Sequence, residues 1–302
     1  MRIRIVDAFT DRPFAGNPAA VVLLPAGPFP DDAWLAQVAA EVNLSETAFA
    51  HPLPDDPDAD WALRWFTPTT EVAMCGHATL ATAHVLHTTG TASGTVRFAT
   101  RSGVLTAALP TGAAQAPGPA TTTATAPATA TATGGIITLD FPTAPLTATT
   151  PPPSLPAALG APVLACYDTG PNVGDLLVEL ATEAAVRTLA PDLPAVAGLP
   201  VRGVIVTAAA ERADADYDFV SRFFGPASGI DEDPVTGSAH TALAPLWSPR
   251  LGRTELTGLQ VSARTGRVRT LLRGARTLLE GTAVTVIDGE LHATAVTAPA
   301  AN

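Results

Sequence analysis

Residues 75–88, CGHATLATAHVLHT, decide the fold of this 302-residue chain. After Cys75 and Gly76 the stretch is made of Ala, Leu, Val, Thr and His, and it contains no Arg, Asp or Glu. A helix that is apolar on every side is a buried helix, so we predict one over residues 77–88. Its start would leave backbone N–H groups unpaired and carry partial positive charge. Such a start suits a carboxylate or a developing oxyanion.

A second segment of the same kind lies far along the chain. The run Asp233-Pro234-Val235-Thr236-Gly237-Ser238-Ala239 leads into a low-charge stretch, which predicts a helix over about 238–247. Phe66-Thr67-Pro68 comes before the first helix and Phe224-Gly225-Pro226 before the second, although the spacing differs by three residues. This weak internal repeat predicts an α/β (α+β) protein of two similar domains, each burying a central helix against a sheet.

Apolar and alternating runs predict the remaining elements. Helices are expected at 31–42 and 183–191. Strands are expected at 3–9, 19–24, 47–50, 61–66, 136–141, 163–167, 174–180, 202–207, 216–224, 257–263, 267–272 and 283–296, with a hairpin turn at Asp288-Gly289.

The domain boundary is expected at a tract of biased composition. Residues 113–133 contain only Ala, Thr, Pro, Gly and one Gln, which cannot pack a core and which predict a linker or surface insertion. We therefore expect an N-terminal domain over 1–112 and a C-terminal domain over 134–282. A C-terminal strand at about 283–297 could join the N-terminal domain.

Composition excludes several classes of function. The net charge is −11 with no basic block, which argues against nucleic acid or an anionic membrane as partner. All 17 basic residues are Arg, and the absence of Lys excludes a Schiff-base lysine and a P-loop. Two cysteines form no disulfide framework, and we see neither a signal region nor a run of transmembrane length. We expect a soluble, cytoplasmic protein.

Three side chains can be weighed for acid/base chemistry. Glu46 lies at the junction of a helix and a strand, where burial would raise its pKa and let it exchange protons near neutral pH. From its segment alone, an ordinary surface acid is the favoured reading. His77 could bind substrate or shuttle a proton, or it could cap its helix. Asp233, with Asp231 and Glu232, could belong to a solvated turn, since the spacing is not that of a calcium loop.

The cysteines offer a second chemistry. Cys75 could act as a thiolate base at the helix start, but a two-base racemase would want a second thiol, and segment 233–239 has none. Cys166 lies in an apolar run and is expected to be buried and inert. Cys75 with His77, His84 and His87 resembles a set of metal ligands, but no Cys-x-x-Cys or His-Glu-x-x-His pattern exists, so we expect no metal.

Five motifs in order carry a family resemblance. They are Ala15-Gly16-Asn17-Pro18-Ala19-Ala20-Val21, Asn43-Leu44-Ser45-Glu46-Thr47, Phe66-Thr67-Pro68 with Glu71, Cys75-Gly76-His77-Ala78-Thr79-Leu80, and Glu232-Asp233-Pro234-Val235-Thr236-Gly237-Ser238-Ala239. Together they closely resemble the PhzF-like phenazine-biosynthesis isomerase family, which shares the diaminopimelate epimerase fold. The resemblance runs from about residue 3 to 292. It departs at Thr265, where the family pattern has a glycine.

The resemblance implies a cofactor-independent isomerase of two pseudo-symmetric domains, each a curved sheet or barrel around a central helix, with the site in the cleft between them. It is expected to be a homodimer acting on a small carboxylic acid. Glu46 matches the general acid/base, and His77 and Asp233 match residues that assist the proton shift. The substrate-binding positions would be Gly76, Gly237, Ser238 and Asn17.

Two alternatives stay open on the sequence. The first is an amino-acid racemase or epimerase that depends on Cys75. The second is a non-catalytic module that binds a small molecule on an enzyme fold.

Overall fold

The structure is a computed structural model that describes residues 1–111, 135–212 and 214–292. The interpretation of residues 113–133 as a linker lies outside the described residues. The chain forms two compact units: unit 1 comprises Met1–Leu139 with Gly281–Asn302, and unit 2 comprises Asp140–Glu280. Among the described residues, no helix combines the length and the apolar character needed to span a bilayer.

The helices and strands of the described residues are numbered in chain order. They are β1 (Arg2–Ala8), β2 (Asn17–Leu23), α1 (Asp32–Val42), β3 (Glu46–Pro52), β4 (Trp61–Phe66), β5 (Glu71–Val72), α2 (Gly76–Thr88), β6 (Thr95–Thr100), β7 (Gly103–Ala108), β8 (Ile137–Pro142), β9 (Thr147–Ala148), α3 (Leu155–Leu159), β10 (Ala165–Asp168), β11 (Asp175–Glu179), α4 (Glu183–Arg187), α5 (Leu193–Ala197), β12 (Gly203–Ala209), β13 (Phe219–Gly225), β14 (Ile230–Asp233), α6 (Gly237–Leu251), β15 (Glu255–Gln260), β16 (Gly266–Arg273), β17 (Arg276–Gly281) and β18 (Ala283–Glu290).

Unit 1 is a sheet wrapped around α2. Its strands follow the order β18-β1-β2-β3-β4-β6-β7, in which β2 and β3 are parallel, β4 and β6 are parallel, and the other pairs are antiparallel. The short β5 also pairs with β4. Helix α2 contacts β18 at one end of this order and β7 at the other, so the sheet curls around it. Every residue of α2 from Gly76 to His87 is buried, as its uncharged sequence predicts.

Unit 2 repeats the same topology. Its strands follow the order β9-β10-β11-β12-β13-β15-β16-β17, with β11 parallel to β12, β13 parallel to β15, and the short β14 on β13. One face of the sheet packs on α6 and the other is covered by the short helices α3, α4 and α5. Side chains along β12 alternate between the two cores, with Ile205 in one and Val204 and Val206 in the other.

The repeat extends to individual ion pairs. In unit 1, Arg64 on β4 binds the carboxylate of Glu71 on β5 through two hydrogen bonds of 2.8 Å. In unit 2, Arg222 on β13 binds the carboxylate of Glu232 on β14 at 2.7 and 2.8 Å. Each guanidinium also lies about 5 Å from the phenylalanine ring two residues further along its strand (5.1 Å in unit 1, 4.8 Å in unit 2). The two domains predicted from the repeat are therefore similar in fold and in detail.

Helix α6 continues through Pro245 and Pro249, beyond the end predicted near residue 247. A proline inside a helix removes the hydrogen bond to the carbonyl four residues before it. The carbonyl freed by Pro245 is that of Thr241, and it accepts a hydrogen bond from Ala144 N–H at 3.2 Å instead. Because a residue outside the helix donates to this carbonyl, the hydrogen bond that Pro245 removes from the helix is replaced.

The hairpin predicted at Asp288-Gly289 is wrong. Both residues lie within β18, opposite Arg4 and Ile3 of β1. The late hairpin is formed instead by β16 and β17, which turn between Arg273 and Arg276. Turn preference is a local signal, and here the pairing with a strand at the other end of the chain overrides it.

Candidate active site

Glu46 and His77 meet in the interior of unit 1. Glu46 is the first residue of β3, and His77 lies in the first turn of α2. Their side chains approach to 3.1 Å between Glu46 Oε2 and His77 Nε2, and the residues are 7% and 3% exposed. The reading of Glu46 as a surface acid, which its own segment favoured, is therefore wrong. The fold buries it because β3 runs between β2 and β4 beside the start of α2.

The contact has the distance of a hydrogen bond but not its alignment. Glu46 Oε2 is buried and accepts no hydrogen bond from a described residue, even though the imidazole is adjacent. Burial lowers the pKa of His77, whereas Cys75 and the Glu46 carboxylate beside the ring raise it, and the net direction is upward. The pair therefore holds a carboxylate next to a group that can carry a proton.

Cys75 is the third member of this group. It is the N-cap residue of α2, and its Sγ lies 3.5 Å from His77 Nδ1. Burial, and next the charge of Glu46, raise the pKa of its thiol to about 11. The thiol is therefore protonated near neutral pH, contrary to the low pKa that a helix start alone would favour.

Asn17 reaches the group from β2. It is fully buried, and its Nδ2 lies 3.0 Å from His77 Nδ1. In the neutral ring, an amide N–H that donates to Nδ1 leaves the ring proton on Nε2, which faces Glu46. The sequence placed Asn17 among the substrate-binding residues; the structure places it against His77, 60 residues away in the chain.

Asp233 lies in unit 2, at the end of β14, and is buried. Its Oδ2 accepts a hydrogen bond of 2.5 Å from the hydroxyl of Thr236, the N-cap residue of α6. The neighbouring Glu232 is held by Arg222, so this run of acids is a paired strand and not the solvated turn that its sequence allowed.

Gln260 holds this segment in place, a role that the sequence did not assign to it. Its side chain is fully buried, and its Nε2 donates to the Asp233 carbonyl at 2.7 Å and to the Thr236 hydroxyl at 3.1 Å. Its Oε1 accepts from Thr236 N–H at 2.8 Å. Ser262 adds a hydrogen bond of 2.8 Å to the Pro234 carbonyl. The end of β15 therefore fixes the loop that leads into α6.

The start of α6 also has a cation beside it. Gly237 is the first residue of the helix, and Ser238 Oγ accepts a hydrogen bond of 3.2 Å from Arg202. Arg202 is held in turn by the buried Asp175, through bonds of 2.9 and 2.5 Å. A helix start beside a guanidinium suits an anion, and Arg202 is a second neighbour that sequence reasoning missed.

Within unit 1 the structure brings together four of the residues singled out from the sequence: Asn17, Glu46, Cys75 and His77. His84 and His87 do not join them, although both are buried in the same helix. His84 Nε2 instead contacts the hydroxyl of Thr285 on β18 at 3.0 Å. Cys166 is buried on β10 in unit 2, as expected.

Comparison with known proteins agrees with the motifs. The sequence model of the phenazine biosynthesis-like proteins (PhzC-PhzF) matches residues 6–289. An uncharacterized isomerase of Pseudomonas aeruginosa is 44% identical over 288 residues, which covers 95% of this chain and 97% of the relative. A PhzF-family protein of Enterococcus faecalis has a crystal structure that superposes with a TM-score of 0.80 at 37% identity, covering 97% of this chain and 99% of the other.

A similar fold also occurs in a protein with much lower sequence identity. A probable proline racemase from Agrobacterium radiobacter superposes with a TM-score of 0.59 at 13% identity, covering 96% of this chain and 92% of the other. At that identity the likeness concerns the fold alone. The resemblance drawn from the five motifs, and the epimerase-like fold expected from it, are confirmed.

Proposed function

Since this chain belongs to the phenazine biosynthesis-like protein family, we propose that it is an isomerase that needs no cofactor and uses Glu46 as its general acid/base. The substrate would be a small unsaturated amino or hydroxy carboxylic acid. Relatives named as isomerases support the reaction class. The single observation that carries the residue assignment is the buried contact of 3.1 Å between Glu46 and His77.

The proposed reaction moves one proton. The Glu46 carboxylate takes a proton from one carbon of the substrate, and the bonding electrons shift along the unsaturated skeleton. The resulting carboxylic acid returns the proton to another carbon, so that charge and atoms balance within one turnover. Burial of the carboxylate keeps the transferred proton from the solvent.

The neighbouring residues support that step in the proposal. His77 stabilises the anionic form of Glu46 whenever Glu46 does not hold the substrate proton, because the Nε2 of His77 faces the carboxylate. Asn17 orients the ring from the opposite nitrogen. The roles of Gly76, Gly237 and Ser238 in binding the substrate carboxylate, and of Asp233 in the proton shift, stay predictions. So do the homodimer and the cytoplasmic location.

The test is exchange of carbon-bound hydrogen with solvent. The enzyme would be incubated in D2O with a panel of unsaturated amino and hydroxy acids, and deuterium at carbon would be followed by NMR. We expect the wild type to label its substrate and Glu46→Gln to be slower by about 10²–10⁴-fold, the usual contribution of a general acid/base. Glu41→Gln, a matched change at an exposed position on α1, should behave as the wild type.

The alternative reaction depends on Cys75 and not on Glu46, and single substitutions at these two residues distinguish it from the proposed isomerase. A cysteine-dependent racemase would lose its activity in Cys75→Ser and keep it in Glu46→Gln. The isomerase proposed here should lose it in Glu46→Gln and keep it in Cys75→Ser, because a thiol with a pKa of about 11 is a poor base at neutral pH. Full activity of Glu46→Gln would overturn the assignment.

A further inference from the structure

One group of side chains in unit 1 is arranged like the ligands of a metal ion, and it consists of Glu46, Cys75 and His77. Each offers one ligand atom, a carboxylate oxygen, a sulfur and a ring nitrogen, and these three atoms all lie within 4.8 Å of one another. Sequence spacing did not reveal this group, because Glu46 lies on a different element and no metal motif links it to the other two. We propose that this trio is a binding site for Zn²⁺ or a similar borderline-soft divalent cation, and that the cation inhibits the enzyme.

The distances fit three ligands of one ion. In a tetrahedral zinc site, with metal–ligand bonds of about 2.0–2.3 Å, neighbouring ligand atoms lie about 3.3–3.6 Å apart. The observed separations are 3.1 Å between Glu46 Oε2 and His77 Nε2, and 4.0 Å between Cys75 Sγ and the same nitrogen. Glu46 and Cys75 have ligand atoms within 4.8 Å of each other, and the Cys75 Sγ lies nearer to Nδ1, at 3.5 Å. The thiol would therefore turn towards Nε2 and Glu46 to complete the ligand set.

A second observation points to the same place. Glu46 Oε2 is buried, and the adjacent His77 Nε2 lies 3.1 Å away without the alignment of a hydrogen bond, so this strong acceptor lacks the well-formed hydrogen bond that burial ordinarily demands. A cation bound beside it would supply a partner. His77 and Cys75 keep only 3% and 6% of their surface exposed, so the ion would be held away from bulk water.

The donor set selects among cations. A thiolate, an imidazole and a carboxylate suit zinc and its neighbours, whereas Mg²⁺ and Ca²⁺ prefer oxygen ligands alone. The thiolate and the carboxylate together neutralise the charge of a divalent ion. Asn17 would then serve as the outer partner of His77, because its amide can turn its oxygen towards a protonated Nδ1 while Nε2 binds the metal.

The inhibition rests on the proposed function. A metal ion on Glu46 occupies the electron pair that would take the substrate proton, so exchange should stop. Binding itself does not depend on that function, and it can be measured without a substrate.

The probe is Co²⁺, whose absorption reports thiolate ligation and tetrahedral geometry. We expect the metal-free full-length protein to bind one Co²⁺ per chain, with a thiolate-to-metal charge-transfer band that Zn²⁺ displaces and Mg²⁺ does not. Cys75→Ser should lose the band, and its Zn²⁺ affinity should fall at least about tenfold, since even loss of an outer-shell partner costs about 10–100-fold. Cys166→Ser, the matched change at the other buried cysteine, should keep both.

Thermal melting gives an independent measure that also shows whether the variant folds. Zn²⁺ should raise the Tm of the wild type and of Cys166→Ser, because a ligand bound only by the native state stabilises it, and should raise the Tm of Cys75→Ser by less at the same concentration. Absence of the thiolate band in the wild type, or its survival in Cys75→Ser, would overturn the site. Unimpeded deuterium exchange by the zinc-loaded enzyme would overturn the inhibition, whereas failure of every substrate to exchange would count against the isomerase alone.

Discussion

Asn17 and His77 are joined by a contact of 3.0 Å between the amide Nδ2 and the ring Nδ1, in an interior that buries both residues. The amide fixes which ring nitrogen carries the proton, and it can turn to accept a hydrogen bond when both nitrogens are protonated. The ring can thus keep its orientation towards Glu46 in either charge state. Asn17 acts in this arrangement as a positioning residue for His77.

Replacing Asn17 by Leu should therefore disturb His77 before it disturbs the fold. Leu has a similar size but no hydrogen-bonding group, and a buried partner left unsatisfied costs about 1–3 kcal/mol. We expect the proton exchange to slow by about 10–100-fold. Nitrogen NMR of the His77 ring should show a changed tautomer balance, and Asn172→Leu, at an exposed position, should alter neither quantity. An unchanged ring spectrum in Asn17→Leu would refute the positioning role.

The pKa values of two other buried histidines, His84 and His240, predict how the stability of the fold depends on pH. Burial, and next the charge of His87, lower the pKa of His84 to about 4, and burial lowers the pKa of His240 to about 4 despite its bond to the Thr236 carbonyl. In the unfolded chain both titrate near 6.5. The two neutral histidines make their full contribution to the free energy of unfolding above pH 6.5. That contribution is lost as the pH falls towards 4, because the unfolded state then binds more protons than the folded state.

The measurement is the free energy of unfolding in urea at pH 7.5 and pH 5. At pH 5 each histidine should account for a loss of about 2 kcal/mol. His84→Gln and His240→Gln should each show a smaller loss between the two pH values than the wild type. His292→Gln changes an exposed histidine and should show the wild-type difference. Equal losses in all four proteins would contradict the assignment.

The central helices were the easiest part of the fold to predict. Helix α2 carries no acidic or basic charge except its histidines, so no face of it could lie in water, and the structure buries it almost completely. The repeat was also visible, since Phe66 is the last residue of β4 and Phe224 is the last but one of the corresponding strand β13. The strands β6, β7 and β17 were not predicted, although Thr95-Val96-Arg97-Phe98 of β6 alternates polar and apolar residues as a half-buried strand does.

The candidate site was harder to predict from the sequence than the fold was. The family resemblance pointed to Glu46, while its own segment favoured the surface. Its burial comes from strands that pair with β3 from both sides, which no local pattern encodes. Gln260 is joined to Thr236 across 24 residues, and a glutamine has no sequence signature for such a role. Contacts of this kind depend on tertiary packing.

Gln260 makes three hydrogen bonds in a fully buried place, so its loss should have a large effect. In Gln260→Leu the Thr236 N–H and the Asp233 carbonyl would lose a partner each, and we expect a destabilisation of about 2–4 kcal/mol in urea unfolding. Gln37→Leu, an exposed change on α1, should stay within about 0.5 kcal/mol of the wild type. A Gln260→Leu protein as stable as Gln37→Leu would show that the loop is held by other contacts.

Thr265 is the residue at which the chain departs from its family's glycine pattern, and its backbone φ is 57°. This left-handed conformation is unfavourable for a β-branched side chain by about 1–2 kcal/mol, whereas glycine adopts it freely. Thr265→Gly should therefore stabilise the protein by about 1 kcal/mol, because the relief of strain exceeds the added freedom of the unfolded chain. Thr188 is an exposed threonine with a φ of −94°, so Thr188→Gly should destabilise it instead. Opposite signs of the two changes in urea unfolding are the expected result, and a loss of stability in both would show that Thr265 makes contacts worth more than its strain.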